Sequence, residues 1–126
     1  MILKNILKQY KNYVYLEDTK SYSQLTISNS GVVSHRDVKQ GIEIGRKRQF
    51  VIDLKANPYT LIFTRQGVVD GSIGLVPQEL DGYIVTENMP MFSINSELVN
   101  PQYLLMFLKS RKYMEQIRNI MPSGTA

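Results

Sequence analysis

Residues 31–50 read GVVSHRDVKQGIEIGRKRQF and hold Arg36, Lys39, Arg46, Lys47 and Arg48 against only Asp37 and Glu43. Guanidinium and ammonium groups at this density can grip a polyanion by charge and by donated hydrogen bonds. The plainer reading of any such run is a solvated surface loop. The neighbouring residues have to decide between the two.

Covalent chemistry finds little support. The single histidine, His35, stands between Ser34 and Asp37, which suggests a triad on paper. Adjacent strand residues point to opposite faces, so Ser34 and His35 are not expected to meet. With one His and no Cys, a zinc site lacks its usual ligands. Gly67, Gly71 and Gly74 fit neither the dinucleotide fingerprint nor the P-loop, and no Lys follows them to reach a phosphate. Asn57-Pro58-Tyr59 is related to the Asn-Pro-Pro-Tyr loop of DNA amino-methyltransferases, but it has one Pro fewer and follows no glycine-rich cofactor strand. No catalytic residue, metal or cofactor is expected.

The bulk composition fits a folded chain. Its 126 residues suit one domain, and 43% apolar with 21% charged residues excludes a disordered polyelectrolyte. The net charge of +4 is unevenly spread: residues 31–66 hold seven Lys and Arg against three acids, whereas residues 67–126 hold four against six. That asymmetry predicts a basic face. The absence of Cys fits a reducing cytoplasm. The longest apolar run, YLLMFL at 103–108, is far short of the roughly 20 residues a membrane span needs. The N-terminal MILKNILKQYK mixes Lys4 and Lys8 into its apolar residues, unlike a signal peptide. A cytoplasmic protein without membrane association is expected.

The elements that must carry these residues follow from pattern. Ile2, Leu3, Ile6, Leu7 and Tyr10 recur at helical spacing, predicting a short amphipathic helix packed on the core. From Tyr13 to His35 the texture turns to β-branched and aromatic residues, with Asn29-Ser30-Gly31 as a hairpin turn. FVIDL, YTLIFTR, GSIGLVP, GYIVT and PMFSI read as further short strands. Asn100 caps a helix that Pro101 opens and whose apolar face is Leu104, Leu105, Phe107 and Leu108. Met114, Ile117 and Met121 resume that face after a break near Ser110, and Pro122 and Gly124 end it. The expected architecture is one α+β domain over residues 1–126. Its core is a twisted, mainly antiparallel sheet of about six to eight strands, with a short N-terminal helix and C-terminal helices.

The order of segments adds something. YSQLTIS, GVVSHRDVKQGIEIGRKRQF, LIFTR, GSIGLVPQELDGYIVTENMPMF and NPQYLLMFLKS follow one another, with SGTA at the end. From about Leu16 to Gly124 this resembles a target recognition domain of the specificity subunit of a type I restriction–modification enzyme. The resemblance rests on three blocks in order and at compatible spacing. It implies a non-catalytic adaptor for duplex DNA that directs partner methyltransferase and restriction–translocase subunits to half of a bipartite site. A full subunit carries two such domains separated by long helices. This chain ends after SGT, where the family continues toward its spacer helix, and is expected to be one recognition domain incomplete at that end.

The resemblance also sorts the residues. Domains with different targets share these blocks, so Arg36, Lys39, Lys47 and Arg48 are assigned to phosphate contact or scaffold. Arg46 and Gln49 of the same block join the DNA-binding set. Base reading is expected from less patterned loops, Ser28–Ser30 and Arg65-Gln66 running toward Asp70, because Arg matches guanine and Gln matches adenine. For Arg65 the competing role is a staple to Asp70 or Asp81. Three alternatives stand beside this reading. The chain could be a fragment of a fused methyltransferase–endonuclease, an RNA or single-strand binder using its eight Tyr and four Phe, or an interaction domain without DNA affinity.

Overall fold

The computed structural model describes residues 3–68 and 71–110. The chain opens with one helical turn, α1 (Leu3–Ile6), and runs directly into strand β1 (Leu7–Tyr10). This corrects the expectation of a helix through Tyr10. A helix this short has no stability of its own, and residues 7–10 instead pair antiparallel with β9 (Met91–Ile94), Leu7 opposite Ile94 and Tyr10 opposite Met91. Four residues are too few to separate the two periods; in the strand Leu7 and Tyr10 serve opposite faces, one against each of the two larger clusters. The available ladder decides.

Between them lie β2 (Tyr13–Tyr15), β3 (Ser21–Ile27), β4 (Val33–Gln40), β5 (Arg48–Val51), β6 (Thr60–Phe63), β7 (Ile73–Leu75) and β8 (Ile84–Val85). Among the described residues there are also two more α-helices, the single turn α2 (Gly41–Ile44) and α3 (Pro101–Lys109), and a 3-10 turn at Gln78–Leu80. The fold is α+β with mostly antiparallel sheets. There are two sheets instead of the one expected, ordered β1-β9-β6-β7 and β2-β5-β8-β3-β4. The β3–β8 contact, Gln24 beside Ile84, is parallel.

Side-chain alternation stacks these sheets. Leu25, Ile27, Phe50 and Val85 of the five-stranded sheet meet Ile62 and Met91 of the four-stranded one in a shared core. Leu61, Phe63 and Phe92 point the other way, against Leu104 and Leu108 of α3. Both leucines are 0% exposed, and burial of each is worth roughly 1.5–3 kcal/mol. On the outer face of the five-stranded sheet a smaller cluster, Leu16, Tyr22 and Ile84, is partly covered by Ile44 of α2.

The local signals at the turns hold. Asn100 Oδ1 accepts from Tyr103 N at 3.1 Å, with Pro101 in the first turn of α3. The expected continuation through Met114, Ile117 and Met121, and its end at Pro122 and Gly124, lie outside the described residues. Gly31 takes φ 88° between β3 and β4, and its N–H donates to Ser28 O at 2.9 Å. The same turn presses on β7, where a Cβ on Gly74 would strike Gly31 O. No described helix is long and apolar enough to cross a membrane.

Candidate nucleic-acid interface

The basic segment owes its geometry to a bulge. Gln24 faces Asp37 across the β3–β4 ladder, but Leu25 faces His35, so Arg36 is an extra residue on β4. On an unbroken strand Arg36 and Lys39, three apart, would face opposite ways. The extra residue resets the alternation. Arg36 and Lys39 thus line one cleft of about 370 Å³ together with Arg46, Gln24, Thr86 and Asn88. Gln24 and Lys39 sit on the outer face of the five-stranded sheet, the side where Tyr22 and Ile84 lie. Glu43 and Ile44 of α2 form a further part of the wall.

Every cation of the basic segment already has a carboxylate. Asp37 Oδ2 lies 3.6 Å from Arg36 Nε and 3.9 Å from Lys39 Nζ, and its Oδ1 accepts from Gln24 Nε2 at 3.1 Å. Arg48 Nη2 and Arg46 Nη1 reach Glu87 at 3.0 and 3.8 Å. Lys47 pairs with Asp18 at 2.9 Å. The hydrogen bond from Arg48, reinforced by the charges of Arg48, Arg46 and Arg65, holds the Glu87 carboxyl below its ordinary range. These are solvent-exposed pairs, which contribute little because water and salt screen them, so an incoming phosphate can exchange with the carboxylates at little cost.

The predicted DNA-binding residues therefore separate. Arg36, Lys39 and Arg46 surround the cleft, and Arg48 joins them through Glu87. Lys47 turns away to Asp18 and is not part of the lining. Gln49 also belongs to the cleft lining; it is 1% exposed, and its Nε2 donates to Arg46 O at 2.9 Å, bracing the loop that carries Arg46. Gln66 Oε1 accepts from Asn88 Nδ2 at 3.0 Å, and Arg65 N donates to Asn88 O at 3.2 Å. Both residues thus attach to the end of the cleft.

The competing staple from Arg65 to Asp81 is not formed among the described contacts; Asp81 Oδ1 accepts from Leu54 N at 2.8 Å. Asp70 lies outside the described residues. Ser28 and Ser30 share a hydroxyl contact of 2.9 Å, while Ser72 Oγ donates to Asn29 Oδ1 and Lys109 Nζ to Ser30 O. That turn is a docked hairpin end with exposed side chains, not a free loop.

Comparison with protein-family models, curated proteins and solved structures gave no match. His35 Nδ1 lies 2.9 Å from Tyr83 Oη, while Asp37 is held by Arg36, Lys39 and Gln24. The sequence pattern does not point to Gln24, Thr86 and Asn88, which bring amide and hydroxyl groups to the cleft, or to the acids Asp18 and Glu87. All of these come from distant segments of otherwise ordinary composition. Only the strand pairing reveals them.

Proposed function

We propose that this chain reads duplex DNA as a non-catalytic recognition module of the kind found in type I specificity subunits. The observation that carries the reading is the cleft: Arg36, Lys39 and Arg46 around the amides of Gln24 and Asn88 and the hydroxyl of Thr86. Cations set a duplex in register through its phosphates, while amides and hydroxyls read base edges. In this reading the protein works in the cytoplasm on half of a bipartite site. Its partners are the methyltransferase and restriction–translocase subunits of the same system. Arg65 and Gln66, tied to the cleft through Asn88, extend the base-reading edge.

A salt titration of fluorescence anisotropy with duplex DNA, single-stranded DNA and RNA tests the reading. A lone half-site reader should bind duplex near the non-specific range of ~10⁻⁴–10⁻⁶ M, weakening as salt rises. Equal binding of all three acids, or none, sinks it. Mapping methylated sites with and without the gene then identifies the target.

One observation favours a second reading. Tyr13 and Tyr15 are 50% and 71% exposed on β2, and the Arg48 guanidinium lies 5.0 Å over the Tyr13 ring. Such a surface can stack unpaired bases. A clear preference for single strands in the same titration, abolished in Tyr15→Ala, would select it.

A further inference from the structure

We infer that the cleft between α1, β1 and the Asn57 turn is a separate anion site, built for a small phosphate monoester. It goes beyond the DNA reading and does not rest on it, because the two clefts share no lining residue. Its volume is about 550 Å³, within the roughly 300–1,000 Å³ of small-molecule sites. Lys8 is opposite Ser93 in the β1–β9 ladder, so their side chains lie on one face. Asn95 N donates to Ile6 O at 2.9 Å, which fastens the α1–β1 junction, and hence Lys4 and Asn5, beside the same edge.

The charge balance here is the reverse of that in the basic segment. All five cations of residues 31–50 have carboxylate partners, whereas Lys4 and Lys8 have none among the described residues. No Asp or Glu lines the cleft. Asp53, a few residues before Asn57, turns its Oδ1 to the N–H groups of Lys55 and Ala56, both at 3.1 Å. Two uncompensated ammonium groups match a phosphate monoester, which carries about −1.5 to −2 at neutral pH.

The remaining polar groups are already oriented. Asn95 Oδ1 accepts from Glu97 N at 3.0 Å, which leaves its amide N–H groups for an anion. Ser93 and Asn5 make no side-chain hydrogen bond among the described residues and can add donors. Asn57 is partly engaged: its Nδ2 donates to Asp53 O at 3.2 Å, which leaves its second N–H and its Oδ1 without a partner among the described residues. Donors with an acceptor among them suit a phosphoryl group joined to a hydroxyl- or amino-bearing body. The volume exceeds a bare phosphate, and Ile6 adds an apolar surface for that body.

Calorimetry at fixed ionic strength, with adenosine monophosphate and glucose 6-phosphate as probes, tests this. At least one ester should bind, at least about tenfold more weakly to Lys4→Gln/Lys8→Gln, as expected when charge-assisted hydrogen bonds are removed. Arg36→Ala/Lys39→Ala should leave its binding unchanged, and adenosine should not bind. Amide shifts in a ¹⁵N spectrum should fall on residues 4–10, 57 and 93–95. Should the double Gln variant melt early, Lys4→Arg/Lys8→Arg must retain binding. No binding of either ester, equal binding of adenosine, or loss in the Arg36/Lys39 variant overturns the proposal. So does displacement of the ester by duplex DNA with shifts at the same amides, which would assign the cleft to nucleic-acid backbone.

Discussion

Arg48 donates from Nη2 to Glu87 Oε1 across 3.0 Å while its guanidinium covers the Tyr13 ring. The basic segment thus meets a carboxylate in the free protein, at the position where a phosphate is proposed to bind. Glu87 also draws Arg46 to 3.8 Å. It is the point at which two cations of the proposed DNA surface are held back.

Replacing this carboxylate with a neutral amide should release both arginines. Glu87→Gln is expected to bind duplex DNA about two- to fivefold more tightly, a modest gain because an exposed pair is well screened. Weaker binding would mean that Glu87 positions the arginines instead of competing for them. The pH dependence has a definite sign. Because Arg48 holds the Glu87 carboxyl below its ordinary value of 4.5, the pair's contribution is complete above that value and is lost as pH falls through the lowered one. A ¹³C titration should show Glu87 protonating below its ordinary value, and Arg48→Ala should raise it.

The salt slope tests which cations touch phosphate. Each phosphate left without its cation reduces the slope of log K against log salt by about 0.9. Arg36→Ala/Lys39→Ala/Arg46→Ala should therefore lower it by up to about three units. Lys47→Ala, which removes a residue paired with Asp18 outside the cleft lining, should scarcely change it. The reverse pattern would move the DNA path to the Lys47 side.

Arg65 has a buried Nε without a hydrogen-bond partner among the described residues. An unmet buried polar group costs about 1–3 kcal/mol. Arg65→Met keeps the aliphatic stem and removes that group, so its melting temperature should equal or exceed that of the wild type by a few degrees. If the guanidinium reads a base, the same variant should relax specificity at one target position. A lower melting temperature with unaltered sequence preference would make Arg65 a structural staple.

Two glycines should respond very differently to Ala. A Cβ on Gly74 would collide with Gly31 O, backbone that cannot easily retreat, so Gly74→Ala should cost about 3 kcal/mol or more. At Gly45, φ is +85° and nothing lies within 4 Å, so only the left-handed backbone is penalised, at roughly 1–2 kcal/mol. Urea denaturation of the two variants measures the difference. Equal losses would show that the packing of β7 on the Gly31 turn can relax.

What the sequence reveals is local. The Asn100 cap, the Gly31 turn and the Leu104–Leu108 face each depend on residues within a few positions, and all three are present. The β1 strand reads as helix because four residues cannot separate two periods. The division into two sheets depends on which strand β6 finds, and it finds β7 and β9. At the candidate site, the cations stand out in the sequence, but their bulge at Arg36 and their partners Asp18 and Glu87 do not. Of the acids visible in the run, Asp37 supplies part of the compensation, while Glu43 accepts from Gln40 N at the start of α2.

The pairing of Leu7 with Ile94 has a consequence in time. During synthesis β1 leaves the ribosome first among the described strands, and β9, its neighbour in the sheet, leaves last. Until Ile94 has emerged, β1 has no ladder, and β6 and β7 can form no more than a hairpin. The chain meanwhile passes from one sheet to the other after β1, β5, β7 and β8, so the five-stranded sheet has all its strands once β8 emerges while the four-stranded one still waits for β9. Such non-local pairing slows folding and holds back the four-stranded sheet until β9 has emerged. A nascent chain halted at residue 90 would still present the apolar faces of Leu61 and Phe63 without Phe92 to cover them.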